Sequence, residues 1–289
     1  MFVSSNTIDA ILVYLKNGLK DLFSEREVKI IIQELILKRF NWTKTDLISN
    51  KDNRLSESDL LFFRGCLKRL QANEPLQYVI GSTFFYDLEI KTDKRALIPR
   101  PETEELVDWV VKTFQSKQDV KILDLCSGSG CIALAIKSQL NKAIVSGIDL
   151  SIEAISLANE NAKLLELNVE FYEGDVLGDL AELPSKSFDS WVSNPPYIPE
   201  SDKVEMAENV LNYEPGLALF VENHLPIVFY ERIAENGLKF INKGGGLFFE
   251  IHERFGKEVV EMLKNKGYVD IELKQDLQGK DRMVKAILP

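Results

Sequence analysis

Histidine is nearly missing from this sequence: only His224 and His252 carry an imidazole. Neither has a companion at metal-ligand spacing, so a metal centre is not expected, and both belong at a surface or a helix end. Cysteine is sparse too, with Cys66, Cys126 and Cys131 alone. Three thiols without metal-like spacing fit a reducing cytoplasm, where small buried thiols fill space. No apolar stretch is long enough to span a membrane, and Met1 to Lys16 lacks the basic start and small-residue cleavage pattern of a signal peptide. Repeats and low-complexity tracts are absent. So is any excess of positive charge: the formal net charge is −10. Residues 1–75 carry 12 Lys/Arg against 10 Asp/Glu, a net +2, so the remaining chain, with 23 against 35, holds all of the negative excess at −12. An acidic main domain repels phosphate backbones, which argues against nucleic acid as the principal partner and towards a protein or small molecule.

What is present is an ordinary globular composition, 45% apolar and 28% charged over 289 residues, with room for one sizeable α/β domain and a smaller one. Within it lies Asn194-Pro195-Pro196-Tyr197, directly after the apolar run Phe188 to Ser193. Two successive prolines remove two backbone donors and fix φ, so this loop is stiff and its carbonyls lack a ladder partner. Asn194 adds a side-chain acceptor and amide donors at the head of the loop, and Tyr197 adds a flat ring. The combination suits a planar, NH-bearing group such as an amide or an exocyclic amine.

A second constellation lies upstream. Val120 to Leu125 reads as a buried parallel strand, followed by Cys126-Ser127-Gly128-Ser129-Gly130 and a helical run from Cys131. A strand, a Gly-rich turn and a helix N-terminus form a nucleotide-cofactor site, because backbone N–H groups point outward and the chain can approach the ligand closely. The next strand ends in Asp149, about 20 residues beyond the turn, where an acidic residue can take ribose hydroxyls. Gly128-x-Gly130-x-x-Ala133 also passes as a nicotinamide-dinucleotide fingerprint, so the turn by itself leaves both cofactors open.

Residues 1–75 read as all-helical. Ile8, Ile11, Leu12, Leu15 and Leu19 share one face, Ser24 to Glu27 form a capping-box pattern, and Ser56 opens a further helix. From Leu76 to Ile90 the pattern predicts two short strands around Gly81 and Ser82, a β-hairpin linker assigned to 76–95. Pro101 is placed for the first turn of a helix running to about Gln115. Beyond Val120, strands expected at 143–149, 168–173, 188–193, 245–251, 267–274 and 282–288 alternate with helices at 130–140, 151–165, 225–241 and 255–266. That alternation predicts an α/β fold over 96–289, a mainly parallel Rossmann-like sheet covered by helices. Trp42, Trp109 and Trp191 sit in apolar runs and are expected in the core or at a domain interface. Lys243 to Gly246 reads as a turn before a strand, not a phosphate loop.

Several segments together resemble the release-factor glutamine methyltransferase family, whose members use S-adenosylmethionine (SAM). They are Pro75-Leu76-Gln77-Tyr78, Leu97 to Glu104, Leu123 to Ala133, Ser193 to Ile198, Glu214-Pro215-Gly216-Leu217-Ala218-Leu219 and Gly279-Lys280-Asp281-Arg282. Asn-Pro-Pro-Tyr alone marks a broad class of amino-methylating enzymes; Ile-Pro-Arg-Pro-Glu-Thr-Glu is far more selective. The resemblance implies a helical N-terminal domain that recognises substrate, a hairpin linker, and a seven-stranded methyltransferase sheet whose last strand is antiparallel. It implies transfer of a methyl group to the N5 amide nitrogen of the glutamine in the Gly-Gly-Gln loop of peptide chain release factors. A cytoplasmic monomer with no direct nucleic-acid or membrane partner is expected. The chain departs from the family at Cys126, where glycine is usual and a Cβ requires φ < 0, and at His252, where glycine usually follows Glu250-Ile251.

On this reading the Asn194 side-chain oxygen and the Pro195 carbonyl accept the two hydrogens of the substrate amide, turning its nitrogen towards the methyl group. Pro196 and Tyr197 complete the substrate site, Tyr197 by packing on the amide plane. Cys126, Ser127, Gly128, Ser129 and Gly130 line the methionine portion of SAM, with Asn194 beside them. Asp149 accepts from the ribose, and Val176 lies against the adenine by resemblance. Asp175 is either a partner of the adenine amine or a solvated loop carboxylate. Glu102 and Glu104 either serve the site or favour a helix N-terminus. The competing readings are a nucleic-acid amine methyltransferase, which would need a basic groove; a nicotinamide oxidoreductase, which leaves residues 194–197 unexplained; and a non-catalytic cofactor-binding protein.

Overall fold

The computed structural model describes residues 5–178, 180, 183 and 187–289. Residues 1–4 of the expected helical domain lie outside the described residues. The chain divides into two units, Met1–Ser82 with Glu208–Tyr213, and Thr83–Ala207 with Glu214–Pro289.

The first unit is helical: α1 (Ile8–Leu19), α2 (Glu25–Phe40), α3 (Lys44–Ser49), α4 (Glu57–Gln71) and α5 (Leu76–Ile80), joined by α9 (Glu208–Tyr213). Its helix starts are chemically explicit. Ser24 Oγ accepts from the Glu27 N–H while Glu27 accepts from the Ser24 N–H, and Thr43/Asp46 and Ser56/Asp59 repeat the reciprocal cap. Ile8, Ile11, Leu15 and Leu19 of α1 are fully buried against Leu35 and Ile36 of α2 and Phe63 of α4. Each such side chain removed from water contributes about 1.5–3 kcal/mol. Trp42 packs against Phe40 with ring centroids 4.7 Å apart and the planes tilted by 32° at the edge of this core.

Leu76–Ile80 is a helix, not the first arm of a hairpin, and ends at Gly81 in the left-handed region (φ 85). Val79 N–H donates to the Pro75 carbonyl at 3.1 Å and Gly81 N–H to the Gln77 carbonyl at 2.8 Å, the i→i−4 pairing of a helix that a strand cannot make. The hairpin lies one step later, β1 (Ser82–Phe85) against β2 (Leu88–Lys91). Tyr86 and Asp87 form its turn, both at positive φ (48 and 64), as a tight two-residue hairpin requires.

The second unit is built on a seven-stranded sheet. After α6 (Pro101–Phe114) come β3 (Lys121–Leu125), α7 (Cys131–Gln139), β4 (Ile144–Asp149), α8 (Ile152–Leu164), β5 (Glu170–Glu173) and β6 (Phe188–Ser193). A two-stranded pair, β7 (Ile198–Pro199) and β8 (Phe220–Val221), precedes α10 (Val228–Phe240), β9 (Ile241–Glu250), α11 (Gly256–Asn265), β10 (Val269–Gln275) and β11 (Asp281–Ile287). The sheet order is β10-β11-β9-β6-β3-β4-β5. Neighbours from β9 to β5 pair in parallel, and β11 runs antiparallel to both β9 and β10.

Side chains alternate across this sheet. Ile122, Val192, Phe248 and Met283 pack with α6 and α7 residues such as Trp109 and Ile132. Leu123, Trp191, Leu247 and Val284 face Tyr230, Ile233 and Leu263 of α10 and α11. Both faces are therefore covered, which is why the central strands read as near-continuous apolar runs. The chain leaves β3 towards β4 and β5, then returns on the other side of β3 as β6. That reversal opens a crevice at the carboxyl ends of β3 and β6, the place where open α/β sheets bind ligands.

Candidate active site

The two motifs that stand 64 or more positions apart in the sequence meet because β3 and β6 are register partners. Leu125 pairs with Ser193, and Ser193 Oγ donates to the Leu125 carbonyl at 2.6 Å. The residue that follows β3 is Cys126, and the residue that follows β6 is Asn194. Both line one cleft of about 220 Å³, with Gly128, Asp149, Val176 and Pro196. Ser127, Ser129, Gly130, Pro195 and Tyr197 do not line it, although Cys126, Gly128, Asn194 and Pro196 beside them do.

The turn after β3 is held from several directions. Ser127 N–H donates to the Ile148 carbonyl at 3.0 Å, Gly128 N–H to Asp149 Oδ2 at 2.8 Å, and Gly130 N–H to the Ser127 carbonyl at 2.8 Å. Gly130 combines φ 79 with close packing: a Cβ there would stand 2.7 Å from the Phe171 ring. Beneath the turn, fully buried Asp124 accepts from the Ala133 N–H at 3.2 Å, and burial raises its carboxyl well above the usual range. The Ser127 and Ser129 hydroxyls are buried without a hydrogen-bond partner among the described residues.

Cys126 overturns the expectation that its Cβ requires negative φ. It sits at φ 62, the left-handed region, where a side-chain-bearing residue costs about 1–2 kcal/mol. Its flanks explain the strain: Leu125 is locked in the sheet by Ser193, and Ser127 is locked to β4. The backbone between them must make the sharp turn whatever residue stands there. Burial, with Asp149 and Asp124 nearby, pushes the Cys126 thiol well up, so it stays protonated.

Asp149 ends β4 with both oxygens engaged, Oδ2 by Gly128 N–H and Oδ1 by Ser151 N–H at 2.9 Å. A carboxylate retains further lone-pair positions beside these bonds. Burial raises its pKa, and the backbone N–H groups of Ser151, Gly128 and Leu150 oppose the rise. Val176 is buried, and Asp175, exposed, turns its Oδ1 to the Leu177 N–H while lining the same cleft.

The proline loop is anchored by residues that the sequence left ambiguous or silent. Asn194 Nδ2 donates to Thr103 Oγ1 at 3.2 Å, Thr103 Oγ1 donates to Glu250 Oε2 at 2.6 Å, and Tyr197 Oη donates to Glu250 Oε1 at 3.1 Å. Thr103 and Glu250 are both buried. Burial raises the Glu250 carboxyl, against the hydroxyl donors Thr103 and Tyr197 and the charge of Arg282. Thus Thr103, not its neighbours, is the member of the Pro-Glu-Thr-Glu segment that reaches Asn194. Glu104 accepts from the Tyr86 N–H at 3.1 Å, tying the hairpin to α6, and Glu102 is met by Gln278 at 3.3 Å. Glu250 has one sequence signal, a charge closing the apolar run Leu247-Phe248-Phe249 of a central strand.

Glu214 joins two further motifs. Its carboxylate accepts from Ile98 N–H at 3.1 Å and from Arg100 at 2.6 Å, which holds Pro215, Leu217 and Ala218 at the cleft wall. The histidines stand apart from this chemistry. His224 is exposed beside Glu222, and His252 packs its ring edgewise on Tyr197 with centroids 5.9 Å apart.

Family models match over most of this architecture, the Methyltransferase small domain over residues 107–265 and the PrmC N-terminal domain over residues 15–81. A release factor glutamine methyltransferase from Flavobacterium psychrophilum is 40% identical over 272 residues, covering 93% of this chain and 94% of its own. One from Bacteroides thetaiotaomicron is 37% identical and covers 96% and 99%. Among solved structures, a methyltransferase from Pyrococcus furiosus shares the fold at TM-score 0.52 and 18% identity, over 69% of this chain and 88% of that one. The nicotinamide reading of the Gly128 turn and the non-catalytic reading give way to these matches. The chain is a methyltransferase and belongs to the release factor glutamine methyltransferase family.

Proposed function

We propose that this enzyme transfers the methyl group of SAM to the side-chain amide nitrogen of the glutamine in the Gly-Gly-Gln loop of peptide chain release factors. The observation that carries the reading is the Asn194 carboxamide at the cleft, its nitrogen held by Thr103. Among the described residues, no protein group donates to its oxygen. That oxygen and the Pro195 carbonyl accept the two amide hydrogens of the substrate glutamine. The amide lone pair then points along the line of transfer, and such orientation is worth several kcal/mol of barrier. The nitrogen sheds its extra proton only after it becomes cationic, so no strong base is needed at the start.

The cleft fits the cofactor of this family. Val176, Leu177 and Phe229 offer apolar walls to an adenine ring, and Asp149 keeps acceptor positions for ribose hydroxyls. Backbone groups of residues 126–130 are placed for the methionine portion. SAM, when bound, supplies an electrophilic methyl group on a sulfonium. Tyr197, fixed by Glu250, closes the substrate side and keeps water out. We assign recognition of the folded release factor to the helical unit, whose deletion over residues 1–75 should impair methylation of the protein substrate more than SAM binding.

Labelled SAM, purified release factor and mass mapping of the modified residue test the proposal. Label on the glutamine side chain of the Gly-Gly-Gln loop is expected; label on another residue type, or on nucleic acid alone, overturns it. Asn194→Ala should bind SAM normally and lose nearly all turnover.

A further inference from the structure

The Asn194 amide can point either way. Its two ends have nearly the same shape, yet only one orientation offers the substrate amide an acceptor. We infer that Thr103 and Glu250 are positioning residues that set the polarity of the Asn194 carboxamide, forcing its oxygen towards the substrate. This deepens the proposed function and rests on the amide clamp described there.

A carboxylate only accepts hydrogen bonds, and each Glu250 oxygen has its own hydroxyl, Thr103 at 2.6 Å on one and Tyr197 at 3.1 Å on the other. Thr103 has a single O–H hydrogen, and Glu250 takes it. Thr103 Oγ1 therefore faces Asn194 with lone pairs alone, and only the NH₂ end of the carboxamide can satisfy it, at 3.2 Å. The oxygen end is left for the cleft. Because Thr103 and Glu250 are buried, solvent offers neither an alternative partner. Reversing any link would place two donors or two acceptors face to face.

The relay is also mechanically fixed. Thr103 lies in the first turn of α6, Glu250 closes β9, and Tyr230 Oη of α10 donates to the Glu250 carbonyl at 3.1 Å. Three elements remote in sequence thus converge on the orientation of one side chain. None of the relay residues needs to touch the substrate amide or the transferred methyl group.

The test uses full-length enzyme with SAM and intact release factor. Thr103→Val keeps the shape but cannot accept from Asn194; kcat should fall about tenfold, the scale of one lost orienting hydrogen bond. The KM for release factor and the calorimetric Kd for SAM should stay within about threefold, since binding groups are untouched. Thr103→Ser restores the hydroxyl and should return kcat to within about twofold of wild type. Glu250→Gln keeps the volume while adding an NH₂ group that can occupy Thr103 as a donor, and should depress kcat with SAM affinity retained; it also serves should Thr103→Val fold poorly. Wild-type kcat in both Thr103→Val and Glu250→Gln, with Asn194→Ala inactive, overturns the relay while leaving the clamp intact. An active Asn194→Ala would instead remove the clamp itself.

Discussion

Asp149→Ala separates a cofactor ligand from a structural brace, because the two roles move different observables. In the absence of SAM, the substitution strands the Gly128 and Ser151 N–H groups, which now lie 2.8 and 2.9 Å from carboxylate oxygens. Each hydrogen bond to a charged group contributes about 1.5–3 kcal/mol. Burial of the charge, which raises the Asp149 pKa, offsets part of this. A net loss of about 1–3 kcal/mol in stability is therefore expected from thermal or denaturant melts. The acceptor positions left for ribose hydroxyls add a second, separate loss, about 1–3 kcal/mol of SAM affinity, or roughly 5- to 150-fold in Kd by titration calorimetry. Asp149→Asn keeps one acceptor oxygen but sets an NH₂ against one of the two backbone donors, so it should fall between wild type and alanine on both scales. If both variants melt earlier yet bind SAM with wild-type affinity, Asp149 is only a brace and its assignment to the ribose fails.

Further expectations concern pH, strain and the cleft wall. The raised pKa of Asp149 means the native protein holds a proton that the unfolded chain has already released. Its stability cost is absent below the unfolded value near 3.9, grows as pH rises to the folded value, and is constant above it. SAM affinity runs the other way, lost as pH falls through the folded value; wild-type Kd should weaken on acidification, while a flat profile matching Asp149→Asn would refute the assignment. At Cys126, whose φ is 62, glycine relieves backbone strain that alanine keeps, so Cys126→Gly should be about 1 kcal/mol more stable than Cys126→Ala. Equal melting of that pair would show that the turn is not strained. Glu214→Ala removes the acceptor for both Ile98 N–H and Arg100, and should cost about 2–3 kcal/mol of stability and loosen the wall at Pro215 and Leu217; an unchanged melt would show the pair to be dispensable.

Local chemistry made much of the fold legible in the chain. The caps at Ser24 and Ser56 and the apolar face of α1 fall where sequence spacing puts them, because each depends on residues a few positions apart. The alternating strands and helices beyond Val120 were readable for the same reason, as was the cofactor-type turn at 126–130. Leu76–Ile80 differs from the strand expected there for a physical reason: a short apolar run satisfies either period, and only the i→i−4 hydrogen bonds from Val79 to Pro75 and from Gly81 to Gln77 decide for the helix.

By itself, then, the sequence determined the elements, the stiff proline loop and the acceptor-bearing asparagine, since those follow from covalent structure and neighbour-to-neighbour sterics. The tertiary structure decided what no local pattern encodes. Strand register set Cys126 beside Asn194, sheet and turn contacts imposed a left-handed backbone on a cysteine, and burial gathered Thr103 and Glu250, 147 positions apart, around one carboxamide. A hydrogen-bond polarity depends on where every proton in the network goes, and that is settled only when the distant partners are packed together away from water.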